Sequence, residues 1–270
     1  MSTEVLAGQT AFVTGGYGAI ASASATLLAR DGAAVLLMGR RKDALERARA
    51  AILAEVSDAR VELFVGDAVQ DSDVGAAIKA AYAIADRLDI VVATVGGVDF
   101  RPFEAMEAQH LRDNFDYNVT SAFHAMHHAV PLMKDGGSIV CISSTEAARP
   151  TFPFASYHVS KSALEALVRA AAEELGAKSI RVNAVRPGLT RSGATEDAML
   201  IPEVIEIYQR EVVLPRFGEP VDIANAVRYL AGPEASWVTG QSFAVDGGIG
   251  LHRHPFLAET PLLAAAMSQG

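Results

Sequence analysis

Cysteine, tryptophan and long apolar runs are what this 270-residue chain has least of. Its single thiol, Cys141, excludes an intrachain disulfide framework and cannot build a cysteine-based zinc site alone. Apolar runs are broken by Gly, Pro or charge well before membrane-spanning length. The start, MSTEVLAGQTAFVTGG, lacks the basic segment and long apolar segment of a secretory leader. The expectation is a cytoplasmic protein with no membrane partner. Basic residues are also short, 23 Lys+Arg against 32 Asp+Glu, leaving a net charge of −9. Phosphate backbones repel that balance, so no nucleic-acid partner is expected. Against these deficits, 50% of the residues are hydrophobic, which excludes wholesale disorder and suffices for a core.

Short β-branched runs alternate with longer Ala-rich stretches. Strands are predicted at Thr10–Thr14, Ala33–Met38, Val61–Val65, Ile90–Val95, Ser138–Ile142, Ile180–Val185 and Ser242–Val245. They are near-continuously apolar, as strands covered on both faces must be. Helical patterns lie between them at Ala19–Asp31, Lys42–Val56, Asp71–Leu88, Leu111–Met133, Tyr157–Ala177 and Val221–Ala231. This alternation predicts one α/β domain over residues 1–250, a Rossmann-type doubly wound sheet of about seven parallel strands with helices on both faces. Two stretches interrupt it: 189–215, expected to be a substrate lid, and a C-terminal tail, 251–270.

Where the first strand turns into the first helix the chain reads Thr14-Gly15-Gly16-Tyr17-Gly18-Ala19-Ile20-Ala21. Glycines there permit a sharp turn and let a pyrophosphate approach the amides of a helix N-terminus. Gly15, Tyr17, Ala19 and Ile20 are therefore cofactor-binding candidates. The second strand ends in Met38-Gly39-Arg40-Arg41-Lys42, with no carboxylate before Asp43. A carboxylate at this point would bind a ribose 2′-hydroxyl, whereas cations pair with a 2′-phosphate. Arg40, then Arg41, thus favour NADP(H) over NAD(H).

Ser143-Ser144 ends the fifth strand, and Tyr157 precedes Lys161 by four residues on a predicted helix. That spacing puts phenol and ammonium on one face. A free phenol titrates near pH 10, so proton exchange near neutrality needs a depression of about 3 units, about 4 kcal/mol, which a neighbouring cation and the positive nicotinamide of an oxidised cofactor both favour. Ser144, at a strand's carboxyl end, can donate to the same substrate oxygen. Three helical histidines, His124, His127 and His128, suggest a metal only weakly, because no carboxylate sits at a useful spacing in their helix. No metal is expected, and Cys141, inside a strand, is expected to be inert.

Taken in order, these motifs resemble the short-chain dehydrogenase/reductase family over residues 8–250. The series is Thr14-Gly15, Gly66-Asp67, Asn118, Ser143-Ser144, Tyr157-x-x-x-Lys161, Arg181-Val182-Asn183-x-Val185-x-Pro187-Gly188, Arg216 to Ala224, and Val238 to Gly248. The resemblance implies Tyr157 as general acid/base and Lys161 as the group that lowers its pKa and binds ribose hydroxyls. It implies Ser144 as the orienter of the substrate oxygen and Asn118 as holder of a relay water. Asp67 would contact adenine, with Ala68 and Gly96 beside the cofactor, while Pro187, Gly188 and Thr190 would line the nicotinamide pocket. Assembly as a homodimer or homotetramer, through the helices at 111–133 and 157–177, is also implied.

The expected function is an NADP(H)-dependent oxidoreductase interconverting a secondary alcohol and a ketone. Apolar lid residues Ala198, Met199, Leu200, Ile201, Ile205 and Tyr208 point to a lipophilic or cyclic small-molecule substrate, with Ala147–Phe154 as a second wall. The chain departs from the family pattern at Ala19 and Ala21, where glycines are usual, and at Thr94, where an asparagine braces the sheet. Thr94 is expected to do that job weakly or not at all. These departures keep open a cofactor-binding scaffold without turnover, and the same fold reducing C=N or C=C bonds is a further alternative.

Overall fold

The computed structural model describes residues 4–134, 136–193, 195–196 and 198–251. The predicted tail beyond Leu251, with His252 and His254, lies outside the described residues. Seven strands, β1 (Thr10–Val13), β2 (Ala34–Gly39), β3 (Val61–Val65), β4 (Ile90–Ala93), β5 (Gly137–Ile142), β6 (Ile180–Pro187) and β7 (Ser242–Val245), form one parallel sheet. Their order is β3-β2-β1-β4-β5-β6-β7. Successive side chains of a strand point to opposite faces, so each inner strand feeds two cores. In β1, Phe12 enters one core while Ala11 and Val13 enter the other; in β4, Val91 and Ala93 oppose Ile90 and Val92. This is why the strands read as unbroken apolar runs.

Helices α1 (Ala19–Arg30), α2 (Lys42–Glu55) and α8 (Pro220–Ala231) close one face through Leu28, Leu45 and Val227. Helices α3 (Asp71–Tyr82), α5 (Ser121–Ala129) and α6 (Ala155–Leu175) close the other through Ile78, Met126 and Leu164. At the amino edge, the buried Asp89 carboxylate accepts the Thr10 amide at 2.8 Å and is held by the Arg87 guanidinium, fixing the start of β4 against β1.

Three predicted boundaries move for physical reasons. The single helix expected over Leu111–Met133 is α4 (Ala108–Phe115), a π-helical turn over Asp116–Thr120, and α5. The extra residues of a π turn shift the 3.6-residue phase without an obvious break in apolarity, and such turns recur at functional sites. The helix predicted to reach Leu88 stops at Tyr82. The 189–215 excursion contains an unpredicted helix, α7 (Pro202–Glu211), opened by Pro202 in its first turn.

The α5 histidines meet a carboxylate from another helix: His128 Nε2 lies 2.8 Å and His124 Nε2 3.9 Å from Asp71 Oδ1 at the start of α3. The His128 hydrogen bond holds the Asp71 carboxyl below its usual range. Among the described residues, no three His, Cys, Asp or Glu side chains converge as a metal site, and no helix is long and apolar enough to cross a membrane.

Candidate active site

Strand order reverses between β1 and β4, which opens a crevice at their carboxyl ends. Both strands end one or two residues earlier than predicted: the Thr14 amide still donates to the Val92 carbonyl at 3.0 Å, and beyond it Thr14 and Thr94 bond each other through their side chains. The Thr94 amide donates to Thr14 Oγ1 at 3.0 Å, and Thr94 Oγ1 donates to the Thr14 carbonyl. Thr94 therefore braces the sheet, so of the two outcomes expected of it, a weak brace or none, the structure excludes the second. A methyl on Gly15 would lie 2.7 Å from Thr94 Oγ1, and its φ of +62° is left-handed, so glycine is required there.

Beyond this clasp α1 begins with no side-chain cap and no acidic residue in its first turn. Its free amides and positive dipole end are suited to an anion. Tyr17, Ala19 and Ile20 line the cleft there, Asp67 and Ala68 line it past β3, and Arg40 and Arg41 at the end of β2. The Arg41 guanidinium sits 4.8 Å over the Tyr17 ring. Arg40 is exposed and only 3.9 Å from Asp67 Oδ2, a contact weak enough in solvent to yield to another anion.

The reacting end is built between β5 and α6. Ser144, just past β5, and Tyr157 line the cavity together, and Lys161 Nζ donates to the Ile142 carbonyl at 2.8 Å. Lys161 is buried and its ammonium lies 5.7 Å from the Tyr157 ring centroid. The Lys161 ammonium alone, the first of the two charges expected to depress the phenol, does not offset its burial. Burial of the hydroxyl pushes Tyr157 up to about 12, with the Ser144 hydroxyl opposing and the Glu146 carboxylate reinforcing. Burial likewise lowers Lys161 to about 8, against the attraction of Cys141 and Glu165. Enclosure outweighs the single cation, because desolvation disfavours phenolate and ammonium alike. Without further positive charge, the Tyr157 hydroxyl keeps its proton.

The π turn buries Asn118 behind the cleft wall rather than in it. Its Nδ2 donates to the Gly97 carbonyl at 3.0 Å and to Asn114 Oδ1 at 2.9 Å, while Oδ1 accepts the Gly97 amide at 3.1 Å. Ser160 Oγ donates to Asn114 Oδ1 at 2.8 Å, tying this turn to α6. A methyl on Gly96 would lie 2.6 Å from Asn118 Oδ1 and 2.8 Å from Lys161 Nζ. Asn114, one turn before Asn118, was missed because a buried amide in a polar-looking segment carries no periodic signal.

Pro187, Gly188 and Thr190 close the cleft from the end of β6, so every predicted cofactor residue faces one cavity of about 890 Å³. Its outer end is walled by Val98, Phe100, Phe154, Ile201, Val204 and Tyr208. Phe100 and Phe154 meet edge to face at 5.5 Å and 66°. Of the predicted lid residues, Ile201 and Tyr208 reach this cavity, joined by Val204 on the same face of α7. Met199, Leu200 and Ile205 do not line it, and Leu200 is 75% exposed. The side chain of Ala198 lies outside the described residues. In the second wall it is Phe154, together with the buried Glu146, that faces the cavity. His158 turns to the Glu146 carbonyl at 2.6 Å, away from the reacting groups. The buried Cys141 thiol is raised to about 12, as expected of an inert thiol.

Comparison with known proteins adds to this geometry. A family model described as "Enoyl-(Acyl carrier protein) reductase" matches residues 15–250. The chain is similar to a 7alpha-hydroxysteroid dehydrogenase of Escherichia coli (strain K12), 32% identical over 247 residues, covering 90% of this chain and 94% of the relative. It is 35% identical over 251 residues to an A-factor type gamma-butyrolactone 1'-reductase (1S-forming) of Streptomyces virginiae, covering 90% and 96%. A solved short-chain type dehydrogenase/reductase from Mycobacterium ulcerans superposes with a TM-score of 0.90 at 34% identity, covering 94% of each chain.

Gly96→Ala tests the wall between Asn118 and Lys161. The added methyl is expected to displace the Lys161 ammonium and lower kcat by about 10- to 100-fold, with cooperative unfolding preserved. Steady-state kinetics beside a thermal melt check this; wild-type kcat would show that the close packing there is without consequence.

Proposed function

This chain belongs to the short-chain dehydrogenase/reductase family, and from that premise we propose that it is an NADP(H)-dependent oxidoreductase interconverting a secondary alcohol and a ketone. The family implies an NAD(P) cofactor and action on a CH–OH group. The observation that carries the reading is the convergence of Ser144, Tyr157 and Lys161 at the mouth of a crevice built for a dinucleotide. The residues fit that group: a left-handed glycine, an uncapped helix N-terminus and two arginines at the end of β2 all face one cavity. The amides that open α1, at Ala19 and Ile20, would hold the pyrophosphate beside Gly15 and Tyr17, Asp67 and Ala68 the adenine side, and Gly96, Pro187, Gly188 and Thr190 the nicotinamide. When bound, the dinucleotide supplies or accepts the hydride.

In the reducing direction, Ser144 orients the carbonyl oxygen and Tyr157 donates its proton to that oxygen. The phenolate left behind faces the Lys161 ammonium, which stabilises it. In the oxidising direction the phenolate takes the alcohol proton, so positive charge near Tyr157 is required first. Asn118 keeps the Gly96–Gly97 segment against Lys161, and a relay water on that turn remains part of the proposal. Arg40 and Arg41 would pair with a 2′-phosphate, which gives NADP(H) over NAD(H).

Phe100, Phe154, Ile201 and Val204 offer a cyclic or lipophilic substrate an apolar wall, in keeping with the steroid named for the Escherichia coli relative. Exposed Phe115 and Phe123 on the α4–α5 segment, with Val159 on α6, support a homodimer or homotetramer through that face. Reduction of a C=C bond is the second reading, favoured by the description of the family model; two hydroxyls, Ser144 and Tyr157, on one cavity wall favour an oxygen substrate instead.

A screen of cyclic ketones and secondary alcohols, followed by reduced-nicotinamide absorbance with both cofactors, tests this reading, and product analysis separates C=O from C=C reduction. Tyr157→Phe is expected to lower kcat by at least about 100-fold while cofactor binding survives. Residual turnover near wild type would overturn the assignment. Arg40→Asp is expected to raise the KM for NADPH about tenfold or more, with little effect on NADH. Equal kinetics with the two cofactors in the wild type would overturn the 2′-phosphate preference.

A further inference from the structure

Tyr157 and Lys161 occupy the first two positions of a row on α6 whose next member, one further turn along, is Glu165. Two of the three bond consecutive residues at the end of β5, Lys161 the Ile142 carbonyl and Glu165 the next residue, Ser143, whose Oγ donates to Glu165 Oε1 at 2.8 Å; Tyr157 lines the cavity with the residue after that, Ser144. The Glu165 side chain is only 4% exposed. Its carboxylate is gripped from β6 by Arg186, whose Nε donates to Oε1 at 2.6 Å and whose second nitrogen donates to Oε2. Arg186 adjoins Pro187 and Gly188, the part of β6 that faces the cavity. One buried carboxylate thus joins the strand carrying Ser144, the helix carrying Tyr157 and Lys161, and the strand end beside the nicotinamide pocket.

We propose that Glu165, held by Arg186 and Ser143, is a positioning residue for proton transfer, locking α6 to the ends of β5 and β6 and placing negative charge one turn beyond Lys161. The proposal rests on the reading of Tyr157 and Lys161 given above. Two consequences separate this role from plain packing. Negative charge favours the ammonium form of Lys161, so removing it makes Lys161 lose its proton at lower pH. Removing Arg186 leaves that negative charge unopposed, so Lys161 should hold its proton to higher pH. The other titratable groups facing Lys161 are Tyr157 on its own helix and the buried Cys141 thiol on β5; Asn118 stands beside it from the π turn, and Glu146 acts on Tyr157 from beyond Ser144. None of these changes in the variants below.

The test follows the Lys161 ε-carbon by NMR through a pH titration of the full chain, with the resonance assigned by its loss in Lys161→Met. Glu165→Gln is expected to lower the Lys161 midpoint by roughly half a pH unit or more, and Arg186→Gln to raise it. The alkaline limb of kcat/KM for carbonyl reduction should move in the same directions. If Glu165→Gln alone does not fold, the Glu165→Gln/Arg186→Gln pair, which leaves two neutral amides in contact, is compared with Arg186→Gln; its midpoint should lie lower. Folded variants whose Lys161 midpoints stay together would overturn the proposal, even with lowered melting temperatures. The catalytic reading fails separately: turnover retained by Tyr157→Phe overturns it whatever the Lys161 midpoint does.

Discussion

Everything the active site does depends on how the end of β5 is fastened to one row of α6. Ile142 and Ser143 are consecutive in a strand end, and they meet Lys161 and Glu165 on successive turns of a helix, while Ser144 and Tyr157 face one cavity. A single side-chain contact would leave α6 free to slide or rotate; contacts on two successive turns fix both motions. Such fixation is what proton transfer needs, because a donor misplaced by about 1 Å can cost about a hundredfold in rate. The same contacts bury a phenol, an ammonium and a carboxylate close together, and the solvent they lose decides their titration.

The cofactor end is organised by a different device at the other side of the crevice. The mutual bonds of Thr14 and Thr94 end β1 and β4 together, where the strand order reverses. Because the two strands stop there, the chain after β1 can turn through Gly15 and deliver the unsatisfied amides of α1 to the cavity. Asp89 does the corresponding job at the amino edge, so β1 and β4 are pinned in register at both ends. The two halves of the site meet at Gly96, whose lack of a side chain lets Asn118 and Lys161 close on the same point.

Much of this was legible in the sequence, and the reasons differ by element. The inner strands show as apolar runs because both of their faces are buried, while the edge strands β3 and β7 keep exposed residues and show by their β-branched and aromatic content. Tyr157 and Lys161 show because a four-residue spacing on a helix is also a spatial neighbourhood. Extending that spacing one more turn reaches Glu165, but its partner Arg186 sits in a strand among apolar residues and reads as an isolated cation. The π turn around Asn118 leaves hydrophobicity unchanged while altering phase, so periodicity runs through it. Thr94 looked like a weak substitute because its partner, Thr14, lies across the sheet and far off in the chain. The lid residues were misassigned at Ile205 because apolarity alone does not say which face of α7 turns inward, and at Met199 and Leu200 because they lie in a separate turn before that helix. The ionisation of Tyr157 was expected downward from its cationic neighbour and an oxidised nicotinamide together; among the protein's own groups, burial of the hydroxyl sets the direction, upward.

That last point gives the most direct measurement. The phenolate absorbance of Tyr157, taken as wild type minus Tyr157→Phe, can be followed against pH with and without oxidised cofactor. The account predicts no phenolate from Tyr157 below strongly alkaline pH in the protein alone, and a clear downward move of its midpoint once positively charged nicotinamide is bound. Phenolate at neutral pH in the protein alone, or a midpoint indifferent to oxidised cofactor, would contradict it.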